Sequence, residues 1–190
     1  MLYEPVLVVH VAAAALLIGG GLLLAASGFG LTTLERGREL LPWVGVAMAS
    51  APLTVGSGLA LFASGGHLAG AAWTFAEGWI TVSAIWLAVL GVATLVLYRR
   101  LWRLGEQVRA LGDEPATAAL RERLRSPVTW GIAHALVFGG VAFIPVMVLK
   151  TEFLATTLWL LVGSAVGVVS GVVFTGRAAR GDLARDAGDR

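Results

Sequence analysis

Polar residues are few along this chain and they cluster. They leave five long apolar runs, near residues 5–27, 43–64, 78–98, 128–149 and 154–175. Each run is close to the roughly 20 apolar residues that a helix needs to cross the hydrocarbon core of a bilayer. None has the short alternating segments of a transmembrane β-barrel. In lipid, backbone polar groups are satisfied only within helices or closed barrels, so the pattern predicts five transmembrane helices. The expected fold class is all-α: a polytopic transmembrane helical bundle of five spans, forming one membrane domain over 1–176 with a charged tail over 177–190.

The segments between the runs add detail. After the third run, Leu101, Leu104, Val108 and Leu111 recur at helical spacing. Gly112, Asp113, Glu114 and Pro115 break that pattern, Ala118 to Leu124 can resume it, and Pro127 opens span four. A helical hairpin over about 99–126 is expected. It reads either as a solvated segment at the lipid headgroups or as a partner-docking element. The tail "RAARGDLARDAGDR" alternates charges, has few large apolar residues, and reads as disordered.

Composition agrees with the membrane class. Charged residues make up 14% of the chain, against about a quarter in soluble domains, and the mean hydropathy is +0.83. The first run follows Met1, Leu2, Tyr3 and Glu4, which lack the basic n-region of a signal peptide, so it reads as a retained span. The absence of cysteine excludes disulfides, thiolate metal sites and iron–sulfur clusters.

Charge predicts orientation. With five spans the termini lie on opposite sides. Arg36, Arg38, Arg99, Arg100, Arg103, Arg109, Arg121, Arg123, Arg125, Arg177, Arg180, Arg185 and Arg190 then share one side, and only Lys150 of the 14 basic residues lies on the other. The positive-inside rule puts the N-terminus outside and the C-terminus in the cytoplasm. The pI of about 9.7 reflects this asymmetry. It does not point to nucleic acid, because Glu106, Asp113, Glu114 and Glu122 interleave with the arginines.

Two stripes stand out inside the spans. Gly163, Gly167 and Gly171 repeat every four residues, which lets another helix approach closely. The partner is either a neighbouring span or the same span of a second copy in a homodimer. Ser50, Thr54, Ser57 and Ser64 share one face of span two, the pattern of hydroxyls turned into a bundle. Pro52 and Gly56 favour a kink there.

Candidate chemistry centres on His10, the one imidazole in "VLVVHVAAAALLIGGGLLLAAS". A histidine in hydrocarbon needs a partner. By depth, His10 lies in the outer leaflet, His67 in the outer loop "SGGHLAGAAWTF", and His134 in the inner leaflet. At about 1.5 Å rise per residue, His10 and His134 are offset by on the order of 10 Å, so a bis-histidine site with His134 as second ligand is the less favoured arrangement. Lys150 and Glu77 fall at the level of His10. Ala13, Ala14 and Gly21 leave space beside it, and Ser50, Thr54 and Ser57 are placed to form a facing wall. An imidazole, a cation and a carboxylate around a small-residue groove suit a flat ligand with acidic groups. The plainer reading has His10 hydrogen-bonded within the bundle, Lys150 reaching for headgroups, and Glu77 capping span three or pairing with Lys150.

"LVVHVAAAALLIGGGL", "APLTVGSGLALFASGGH", "WTFAEGWITVSAIWLAVLG" and "VAFIPVMVLKTE" together resemble the four spans of a family of bacterial integral membrane proteins of unknown function. The resemblance covers about residues 5–152. More remotely, the first-span histidine and fourth-span lysine resemble those of copper-resistance-D-like proteins and of the haem-containing membrane protoporphyrinogen oxidase. Leu17 stands where the family usually has tryptophan, and Thr151 where it has proline; span five and the tail are additions. The resemblance implies a multi-pass protein of the bacterial inner membrane. It also implies haem b as cofactor, His10 as axial ligand to the iron, and Lys150 as the cation facing acidic groups. The alternative expectation is a non-enzymatic scaffold or assembly factor, or a protein handling copper or another ion, with His10 and Met48 or Met147 as soft ligands for Cu(I).

Overall fold

The structure is a computed structural model that describes the backbone of residues 3–72 and 75–188 and the side chains of 3–68 and 75–178. It consists of α1 (Tyr3–Thr33), α2 (Gly37–Ala72), α3 (Gly78–Leu111), α4 (Ala118–Leu124), α5 (Pro127–Leu149) and α6 (Phe153–Gly188). Five of these segments are long and apolar enough to cross a bilayer, one for each apolar run. The chain is an all-α, multi-pass membrane protein. Its outer surface fits that solvent: large aliphatic side chains such as Leu59, Val148 and Leu154 are 66%, 72% and 69% exposed.

Helices outrun the expected spans, two of them across segments read as a loop or a tail. α2 continues past residue 64 through Gly65, Gly66 and His67, so His67 lies exposed on a helix and not in a loop. Each glycine costs about 1 kcal/mol relative to alanine, which is too little to end a helix whose other residues favour it. α6 likewise runs on to Gly188, across the tail expected to be disordered. That stretch is rich in Ala and Arg, both good helix formers.

Four helices close into a ring. α1 packs on α2, α2 on α3, α3 on α5, and α5 on α1. The diagonal pairs α1–α3 and α2–α5 bring no Cα atoms within 8 Å of each other among the described residues. α6 lies outside the ring, along α5 and against α3. Gly163, Gly167 and Gly171 make this last packing possible. A Cβ on Gly167 would stand 2.5 Å from the His134 carbonyl oxygen and 2.6 Å from Ala135 Cα. The glycine stripe packs against α5, a neighbouring span of the same chain, the first of the two expected partners.

The two ends of the ring differ. At the arginine end, α3 turns at Gly112, whose φ is +57°, and α4 folds back. The turn pairs with the α1–α2 connection: Gly37 N–H donates to Glu114 O (3.1 Å) and Ala116 N–H to Glu35 O (2.7 Å). Arg125 Nε donates to Thr32 O at 3.0 Å and so satisfies a carbonyl at the end of α1. Trp130 is fully buried against Gly28, with its Nε1 donating to Leu124 O at 2.6 Å. The large core cluster includes Leu24, Leu40, Leu97 and Leu101 in this half and continues through α3 and α5 to Val82 and Val146. At the opposite end, the packing between α1 and α2 is reduced to a small cluster of Ala13, Leu17 and Leu61.

Candidate functional site

Above that small cluster the ring holds a cleft of about 340 Å³. This lies within the roughly 300–1,000 Å³ typical of small-molecule sites. All four ring helices contribute. α1 supplies His10, α2 supplies Leu61 and Phe62, α3 supplies Trp79 and Ser83, and α5 supplies Met147 and Lys150. The walls are mostly aliphatic and aromatic, so the few polar atoms decide what binds.

His10 Nδ1 lies 3.1 Å from Ser64 Oγ on α2. Gly65 gives the ring room: a Cβ there would sit 3.3 Å from His10 Cε1. Lys150 occupies the C-cap of α5, with its N–H donating to Val146 O at 2.9 Å and a left-handed backbone at φ +48°. Glycine or asparagine usually takes that conformation, which costs other residues roughly 1–2 kcal/mol. A cation there interacts favourably with the helix C-terminus, which offsets part of the strain. The position is fixed on the next side by Thr156, whose Oγ1 donates to Thr151 O at 2.9 Å. The start of α3 abuts the start of α6, where Gly78 meets the Phe153 backbone. That contact sets Trp79 and Ser83 beside the end of α5.

Ser83 is unusual among the hydroxyls of the spans. Ser27, Thr32, Ser50, Thr54, Ser57, Ser64, Thr94 and Thr175 all donate to a carbonyl one turn back in their own helix. Ser83 Oγ is buried with no hydrogen-bond partner, a condition shared among the described residues only by Trp86 Nε1 and Ser164 Oγ. A buried hydroxyl left unpaired is costly, and here it belongs to a residue that lines the cleft.

The residues singled out in the sequence separate into groups. His10 and Lys150 line the same cleft. Ser50, Thr54 and Ser57 do not line it; they are buried where α2 meets α1, and a Cβ on Gly20 would stand 2.7 Å from Thr54 Oγ1. Ser64, the last member of that stripe, is the one that reaches His10. Glu77 is exposed at the N-cap of α3 and its side chain makes no capping bond; its carbonyl accepts from Ile80 N–H at 3.1 Å. His134 lies elsewhere, with Nδ1 3.0 Å from Ser170 Oγ on α6 and its ring 5.5 Å from that of Phe174. Met147 joins the cleft, whereas Met48 packs in the large core. Among the described residues no three His, Cys, Asp or Glu side chains gather as a metal site. Ser83 escaped the sequence reading, because a serine in an apolar helix looks the same whether or not its hydroxyl is paired. Comparison with protein-family models, with curated proteins and with solved structures gives no match.

Proposed function

We propose that this membrane protein binds a flat amphipathic ligand, haem b or a related porphyrin, in the His10 cleft and serves a redox or porphyrin-handling role. The observation that supports this reading is that His10, Ser83 and Lys150, from α1, α3 and α5, line one apolar cleft. His10 holds the iron, the aliphatic and aromatic walls cover the macrocycle, and Lys150 neutralises a propionate. When bound, the haem supplies one-electron chemistry, while the chain provides ligand, burial and charge. His134, bonded towards α6, takes no part. The charge split supports placing the cleft on the outer face of a bacterial inner membrane, with the arginine end in the cytoplasm.

Met147 supports a second reading. A thioether and an imidazole lining one cleft are ligands suited to Cu(I).

Titration of the purified protein with haemin, followed by absorption spectroscopy, tests both. The expected result is a sharp Soret band that is lost in His10→Ala, weakened in Lys150→Ala and retained in His134→Ala. Equal loss from His10→Ala and His134→Ala would establish a bis-histidine site instead. Failure of the wild type to bind haemin would end the haem reading. Cu(I) binding that requires both His10 and Met147 would then favour the copper reading, and its absence a non-enzymatic scaffold.

A further inference from the structure

Within the α2 stripe, Ser64 alone bonds a side chain of another helix among the described residues. Counting protons at this contact fixes the direction of the hydrogen bond, and with it the tautomer of the neutral imidazole. A serine hydroxyl has one proton to give. Ser64 Oγ lies 2.6 Å from Ala60 O and 3.2 Å from Leu61 O, and carbonyl oxygens only accept. The proton is therefore committed to the carbonyls of α2. Towards His10, the Ser64 oxygen accepts. Nδ1 then carries the ring proton, and a neutral imidazole of this kind keeps its lone pair on Nε2. The ring turns Nδ1 and Cε1 towards Ser64 and Gly65 on α2 and also hydrogen-bonds the Leu61 backbone. Nε2 forms no hydrogen bond to a described side chain and is not among the buried unpaired atoms, and His10 lines the cleft.

We propose that Ser64 is a positioning residue: it holds His10 as the Nδ1–H tautomer and presents the Nε2 lone pair to the cleft, which therefore selects a ligand with an electron-pair acceptor, a metal centre above all. A ligand that offers only carbonyl oxygens meets a lone pair at His10 and is disfavoured. The tautomer follows from the hydrogen bonds; its part in ligand capture rests on the haem reading of the cleft. Anchoring the far nitrogen of a ligating histidine both orients the ring and raises its basicity, and loss of such an anchor typically costs about 10–100-fold in metal affinity.

The test uses the full chain, ligand-free in lipid nanodiscs, with ¹⁵N-labelled histidine. His67→Gln and His134→Gln in the background leave His10 as the only signal. At alkaline pH its Nδ1 should bear the proton; an Nε2–H form would overturn the proposal. Ser64→Ala should release the ring into a mixture of tautomers and weaken haemin binding about tenfold or more. Ser64→Thr should restore both, because threonine can give its proton to the same carbonyl. An unchanged tautomer in Ser64→Ala would also overturn the proposal. If the tautomer depends on Ser64 but the native protein binds no haemin, the positioning role stands and the haem reading falls.

Discussion

Ser83 brings two opposed demands to one residue. Its hydroxyl is buried and unpaired in the ligand-free protein, and it belongs to a cleft wall. Removing an unpaired buried hydroxyl lifts a desolvation penalty of about 1–3 kcal/mol. Ser83→Ala is therefore expected to raise the stability of the ligand-free protein, by about 1 kcal/mol, and at the same time to weaken haemin binding. Thermal unfolding with and without haemin measures both effects, and a destabilised ligand-free variant would show that Ser83 is already paired. Single residues were legible in the sequence only when they broke a pattern. His10 stood out as one imidazole in an apolar run, and Lys150 as the lone basic residue at its end of the bundle. Ser64 appeared in a stripe whose members looked equivalent. Three of them turned out to pack against α1, and one reached the histidine, because the difference lies in the level at which His10 crosses that face.

At the scale of an element, α6 shows what small residues do. The Gly167 and Gly171 positions bring the α6 backbone against the carbonyls of His134 and Trp130 on α5, whereas a Cβ on Gly176 would meet nothing within 4 Å. Gly167→Leu must push two backbones apart, so the overpacking penalty of typically 1–3 kcal/mol is expected at its upper end. Gly176→Ala, in the same helix, is expected to be neutral or to stabilise by up to about 1 kcal/mol through helix propensity. Unfolding in detergent compares the two. Equal stabilities would mean that α6 does not seat on α5 in the membrane. The existence and type of the five spans were readable, because length and apolarity are strong signals in one dimension. Their ends were less so. A loop is favoured after residue 64 by Gly65 and Gly66, yet the helix persists, since a few tenths to one kcal/mol per glycine does not outweigh continued backbone bonding.

For the whole molecule, the order of helices around the ring was out of reach of the sequence. Five apolar helices carry no label for their neighbours, and partner choice depends on shape at contacts such as Gly28 with Trp130 and Gly163 with Ala142. Charge does carry global information. The arginine end is closed by the α4 fold-back, the Arg36–Pro115 backbone bridge and Trp130, while the Lys150 end opens into the cleft. Flanking Lys and Arg are retained in the cytoplasm, and in the sequence 13 of the 14 basic residues fall in the connections on the side of the closed end or after span five. The cleft should then receive its ligand from the outer side, and the closed end should separate it from the cytoplasm. A reporter fused after Arg190 is expected to be active only as a cytoplasmic fusion, and one placed before Met1 only outside. A membrane-impermeant label should reach Lys150, an exposed residue that lines the cleft, and haemin binding should protect it from that label. A cytoplasmic N-terminus would reverse the direction of ligand supply while leaving the cleft's chemistry unchanged, because His10, Ser64, Ser83 and Lys150 keep their mutual arrangement whichever way the bundle sits in the bilayer.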